Sequence, residues 1–88
     1  MLLAIDVGNS NILCGLYESG GPHLLASFRL STDRDRTADE WLAMLAALVD
    51  HDGRRLRDVD AVILSSVVPS VTTWLTEMCR RGLGLDPI

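Results

Sequence analysis

The chain has 88 residues, of which 48% are apolar and 23% charged, with a net charge of −4. This is the composition of one small globular unit, one that buries only about 60 to 65% of the surface exposed by its unfolded form, and not that of a disordered segment. All 8 basic residues are arginines, mostly set beside acids, and without a basic stripe interleaved with aromatics nucleic acid is not an expected partner.

Leu2-Leu3-Ala4-Ile5 is a continuous apolar run, the pattern of a strand covered on both faces. Ile12 to Tyr17 predicts a second strand, in which Gly15 suggests a bulge or a close backbone approach. Ser19-Gly20-Gly21-Pro22 is a turn, and His23 to Leu30 predicts a third strand, with Leu25 and Phe28 among its apolar members. Three strands joined by short turns make an antiparallel meander. The period then changes. Ser31 to Arg36 is a polar connection, and Thr37-Ala38-Asp39-Glu40 fits the capping box of a helix start. Trp41, Leu42, Leu45, Leu48 and Val49 follow at helical spacing. Asp50 to Asp60 reads as the exit loop, with Gly53 ending the helix. Ala61 to Leu64 predicts a buried fourth strand, turned by Ser65 to Val68 into a second helix. Pro69 sits in that helix's first turn, Val71, Trp74, Leu75 and Met78 form its inner face, and Gly82 is its expected end.

The order is β-β-β-α-β-α. Helical crossovers between strands of one sheet are right-handed and lay the helices on its face. A helix ending at Gly82 should feed another strand, for which few residues remain, so the expectation is a single incomplete domain over residues 1–88. Such a chain would expose the edge of its fourth strand and associate with other copies.

Asp6-Val7-Gly8-Asn9-Ser10-Asn11 holds more polar residues than a hairpin turn needs. Such residues serve turns by tolerating left-handed backbone and bonding their own main chain, and that reading stands for the residue types alone. The alternative rests on position, because an acid closes a buried strand and a glycine follows it. Gly8 permits a phosphate to approach the backbone, where successive N–H groups form an anion-binding concavity. Asp6 would repel phosphate, so its sensible role is to hold Mg²⁺ or its waters. Asn9, Ser10 and Asn11 can donate to phosphate oxygens.

A strand, this D-x-G-x-S turn, a second strand and then β-α-β-α together resemble the phosphate hairpin and first lobe of the actin-like, sugar-kinase superfamily. The implied fold is α/β: the N-terminal lobe of a ribonuclease H-like, actin-like ATPase fold, a mixed sheet with helices packed on it. "AIDVGNSNI", "RTADEW" and "ILSSVVPSV" narrow this, because in that order they resemble type III pantothenate kinase. That family's pattern most often has Thr where this chain has Ser10, which keeps the hydroxyl. The resemblance implies ATP-dependent phosphorylation of pantothenate to 4'-phosphopantothenate, the first step of coenzyme A biosynthesis. It makes Asp6, Val7, Gly8, Asn9, Ser10, Asn11, Ile12 and Leu13 the ATP-binding segment, with Asp6 serving Mg²⁺ through water. It also implies a monovalent cation, K⁺ or NH₄⁺, whose site lies outside this chain, and a homodimeric complete enzyme. Pantothenate binding and the catalytic base belong to a Gly-x-Asp-Arg motif that does not occur in residues 1–88. Catalytic residues and the second lobe are therefore expected elsewhere, and the chain alone is expected to be inactive. The rival readings are a non-catalytic accessory or interaction protein of the same family and another actin-like kinase acting on a sugar or acetate.

Other candidates carry plainer roles. Ser65 and Ser66, closing a strand, either line a cleft or cap the next helix, and capping is preferred. Asp33 to Arg36 is a solvated loop with local ion pairs of small worth. His23 has no partner acid at catalytic spacing, His51 is a loop residue, and Trp41 and Trp74 are packing residues. Cys14 and Cys79, with no other Cys or His at ligand spacing, read as reduced buried thiols. The N-terminus lacks a cationic segment before Asp6, so no signal peptide is expected. No apolar run nears the ~20 residues of a bilayer span. The expected location is cytoplasmic, away from membranes.

Overall fold

The computed structural model describes residues 1–88. The first apolar run continues through Asp6 into β1 (Leu2–Val7), followed by β2 (Asn11–Tyr17) and β3 (Leu24–Ser31). Two antiparallel pairings build the expected meander, with a register irregularity at Leu16/Tyr17 beside Gly15. A crossover then leads through α1 (Ala38–His51) to β4 (Ala61–Ser66), which pairs parallel to β1. The sheet order is β3-β2-β1-β4, and α2 (Pro69–Met78) follows.

Side-chain alternation decides which face the helices cover. Leu3, Ile5 and Val7 of β1, Ile12, Cys14 and Leu16 of β2, and Val62 of β4 are buried. They join Trp41, Leu45 and Val49 of α1 and Val71, Leu75 and Met78 of α2 in one core. Trp41 is the largest fully buried side chain, and truncating such a residue to Ala costs about 3–5 kcal/mol. α1 starts as its sequence dictates: the Thr37 hydroxyl accepts from the Glu40 N–H at 3.4 Å, while a Glu40 carboxylate oxygen accepts from the Thr37 N–H at 2.9 Å. Loss of such a cap costs about 1 kcal/mol.

Cys14 and Cys79 are both buried and unpaired. Burial pushes the Cys14 thiol up to about 12 and the Cys79 thiol up to about 11. At pH 8, four and three units below those values, only about one in 10⁴ and one in 10³ are thiolate, the reactive form. The folded chain should therefore resist Ellman's reagent at pH 8 for hours and release two equivalents of thionitrobenzoate at once in guanidinium. Rapid labelling of either thiol in the folded state would contradict this packing.

Several expectations need correction. Leu2–Ile5 is not covered on both faces. Leu2 and Ala4 are only half-buried, and with Leu13, Ile63 and Leu24 they belong to a sheet face without helices. Gly82 does not end the second helix. α2 passes into a π-helical turn, Cys79–Leu83, and Gly84 supplies the left-handed cap at φ 68°. Gly82 instead lies against α1, where a Cβ would come within 2.8 Å of the Leu42 side chain. The exit loop is more ordered than expected, because α1 runs on to His51 and Leu56–Asp58 forms a 3₁₀ turn. Nor is the outer edge of β4 wholly bare. Ile88 donates to the Val62 carbonyl at 2.8 Å and accepts from the Leu64 N–H at 3.1 Å, a single parallel bridge opposite Ile63.

Candidate functional site

The hairpin between β1 and β2 lies at the C-terminal end of β1, where crevices of open α/β sheets form. The last strand pair is Val7 with Ile12, and beyond it the Gly8 N–H donates to the Asn11 carbonyl at 2.9 Å. Asn9 and Ser10 form the exposed tip, and their backbone N–H groups make no hydrogen bond within the chain. Gly8 is not in the left-handed region, so its glycine is not required by φ. Close approach is the reason, since a Cβ there would meet the Asn11 carbonyl oxygen at 3.2 Å.

Strand register divides the predicted residues. Val7 and Ile12 turn their side chains into the core at 1% exposure each, so at this loop only their backbone is available. Asp6 and Leu13 point to the helix-free face. On that face the pairings align Arg29, Leu13, Asp6 and Ser65 in one row across β3, β2, β1 and β4. The Asp6 carboxylate is exposed and makes neither an ion pair nor a hydrogen bond. It stands beside the exposed Ser65, and the hairpin with Asn9, Ser10 and Asn11 begins just beyond the Val7–Ile12 pair. Apolar residues fill the rows below: Leu2, Ala4, Tyr17 and Ile63.

The two serines have separate fates, because adjacent residues of a strand face opposite sides. Ser66 accepts from the Val68 N–H at 3.0 Å and donates to the Val68 carbonyl at 3.2 Å, closing the turn before α2. Neither serine is the helix cap; Val68 holds that position with no side-chain bond. The turn also reaches back to the hairpin, where the Val67 N–H donates to the Val7 carbonyl at 3.1 Å.

One contributor was not foreseen. Thr32, just after β3, donates its hydroxyl to the Gly8 carbonyl at 2.8 Å and its N–H to the Ser10 carbonyl at 3.0 Å. Arg36 stays apart from the hairpin. It lies 5.7 Å from the Trp41 ring centroid and pairs with Asp33 at 3.5 Å.

This arrangement combines unpartnered backbone N–H groups, a hydroxyl and two amides with one adjacent carboxylate. It suits an anion bearing a divalent cation better than either alone. No three His, Cys, Asp or Glu side chains stand together, so an all-protein cage is not on offer. A single carboxylate with waters and phosphate oxygens is the way Mg²⁺ is ordinarily held, and Asp6 fits that mode. The helix-free face gives such a ligand access. A concavity of about 600 Å³, lined by Thr72, Thr73, Thr76, Glu77, Arg80 and Arg81, lies along α2 and the π-helical turn. It contains none of the predicted residues, and its arginines already pair with Glu77, Asp39 and Asp86. No helix is long and apolar enough to cross a membrane.

The family model described as type III pantothenate kinase matches residues 2–88. Proteins named type III pantothenate kinase from Moorella thermoacetica and an Exiguobacterium species are each 44% identical over all 88 residues. One of the same name from Halalkalibacterium halodurans is 38% identical over the same span. The chain spans about a third of the length of these curated relatives, 34% in each case.

Proposed function

Because the chain belongs to the type III pantothenate kinase family, we propose that its β1–β2 hairpin binds the phosphates of ATP for phosphoryl transfer to pantothenate. The supporting observation is the pairing of an exposed, unpartnered Asp6 with the free N–H groups of Asn9 and Ser10 at the C-terminal end of β1. The N–H groups, the Ser10 hydroxyl and the amides of Asn9 and Asn11 donate to phosphate oxygens. Gly8 keeps the backbone low enough for their approach. Asp6 holds the water shell of Mg²⁺, which offsets charge on the phosphates when bound. Val7, Ile12 and Leu13 contribute backbone and shape.

Residues 1–88 thus form a nucleotide-binding lobe. The primary hydroxyl of pantothenate needs a base to take its proton as the phosphoryl group arrives. No Gly-x-Asp-Arg stands in these residues, and in this reading the base, the pantothenate contacts and the monovalent-cation site come from a second lobe. The complete enzyme is then a cytoplasmic dimer on the way to coenzyme A.

A chimera tests the reading. Residues 1–88 are joined to the remaining two-thirds of the Moorella thermoacetica relative, and folding is checked by a cooperative melt. ATP- and pantothenate-dependent ADP release is the expected result. A folded chimera that binds ATP without transferring phosphate would support a non-catalytic accessory role. Transfer to a sugar or acetate, with none to pantothenate, would support a different kinase.

A further inference from the structure

We infer that Thr32 is a positioning residue that aims the Asn9 backbone N–H at the bound phosphate, an inference that rests on the nucleotide reading of the hairpin. The geometry follows from the peptide bond. In a planar trans peptide the C=O and the N–H that follows it point in opposite directions, and the chain has no cis peptides. The Gly8 carbonyl and the Asn9 N–H belong to one such unit. The Thr32 hydroxyl holds that carbonyl at 2.8 Å from a part-buried position, so the Asn9 N–H is turned away from Thr32 and donates to nothing in the chain. The Thr32 N–H holds the Ser10 carbonyl at 3.0 Å and fixes the Ser10–Asn11 peptide by the same rule. One residue outside the hairpin therefore grips the two carbonyls on either side of its tip.

The hairpin does not supply this restraint itself. Gly8 and Asn11 share the bond from the Gly8 N–H, while the Gly8 carbonyl is satisfied by Thr32. Without the hydroxyl, the Gly8–Asn9 peptide is free to rotate and its N–H spends only part of its time aimed outward. Order must then be restored when a phosphate binds, and affinity falls by the fraction of the competent state.

Thr32→Val removes the hydroxyl and keeps both the shape and the backbone bond to Ser10. Thr32→Ser keeps the hydroxyl. Amide signals of the ¹⁵N-labelled chain are followed with and without Mg·ATP, at a temperature where all three proteins are folded. The free valine variant should show an Asn9 order parameter below about 0.6 where the parent is near 0.85. Its Mg·ATP affinity should fall about fivefold, the worth of one hydrogen bond, while the serine variant keeps parental order and affinity. A valine variant with parental Asn9 order and affinity overturns the inference alone. A parent whose hairpin amides ignore Mg·ATP overturns the nucleotide reading and this inference with it.

Discussion

Gly8→Val is expected to weaken Mg·ATP binding by about 10- to 100-fold in a chain that still folds. The added Cβ would lie 3.2 Å from the Asn11 carbonyl oxygen, tighter than ordinary contact, and its methyls would occupy the space a phosphate must enter. Gly8 is not left-handed, so the substitution carries no φ penalty and the hairpin can relax by a few tenths of an ångström. The loss at the ligand is larger. Hydrogen bonds to a charged group are worth about 1.5–3 kcal/mol each, and displacing the phosphate by the width of a methyl forfeits at least one, which gives the stated range. Isothermal titration with Mg·ATP, beside a thermal melt, separates the two effects. Parental affinity in the folded variant would mean that this turn does not contact nucleotide.

Asp6→Asn is expected to lower phosphoryl transfer by the chimera by about 100-fold or more while leaving stability within about 0.5 kcal/mol. Stability should hold because the carboxylate is exposed and unpartnered, and surface changes away from such partners cost little. Activity should not, because a divalent ion at the phosphates supplies several kcal/mol of charge stabilisation, and an amide holds that ion or its waters poorly. The initial rate of ADP release across a range of Mg²⁺ concentrations checks this. An asparagine variant with parental turnover would leave Asp6 as a turn residue only.

Much of the architecture is legible in the sequence because local signals are strong there. Thr37 and Glu40 announce a helix start that forms as a capping box, and Pro69 opens α2 as its fixed φ allows. Ile12 to Tyr17 reads as a strand and forms one, with Ile12, Cys14 and Leu16 buried. What escapes the sequence depends on register or on distant partners. Ser65 and Ser66 look equivalent in one dimension, yet one-residue parity sends Ser65 to the face of Asp6 and Ser66 into the turn before α2. Gly82 reads as the stop of the second helix. Only the π-helical turn, which tucks Gly82 against Leu42, shows that Gly84 is the cap.

The candidate site follows the same pattern. Asp6, Gly8, Asn9, Ser10 and Asn11 stand out because they crowd one short turn. Their division into outward and inward residues follows only from the pairing of β1 with β2, which buries Val7 and Ile12. Thr32 gives no local signal, since its hydroxyl acts on a carbonyl 24 residues away. A polar residue directly after a strand predicted to pair beside the hairpin is the one hint that could have found it. The helix-free face was misread because Leu2 to Ile5 is apolar throughout, and a run without alternation does not distinguish the half-buried side of a sheet from the covered one.

The proposed site places phosphates and their metal ion at Gly8–Asn11, beside Asp6. Paramagnetic broadening tests it most directly. Mn²⁺ replaces Mg²⁺ in the nucleotide complex, and its effect falls steeply with distance, so the amide signals that vanish first locate the metal. Mn·ATP at low molar ratio is expected to erase the Asp6, Asn9, Ser10 and Ser65 signals, and excess Mg·ATP to restore them. Broadening centred on Thr72 to Arg81, with the hairpin signals intact, would contradict it.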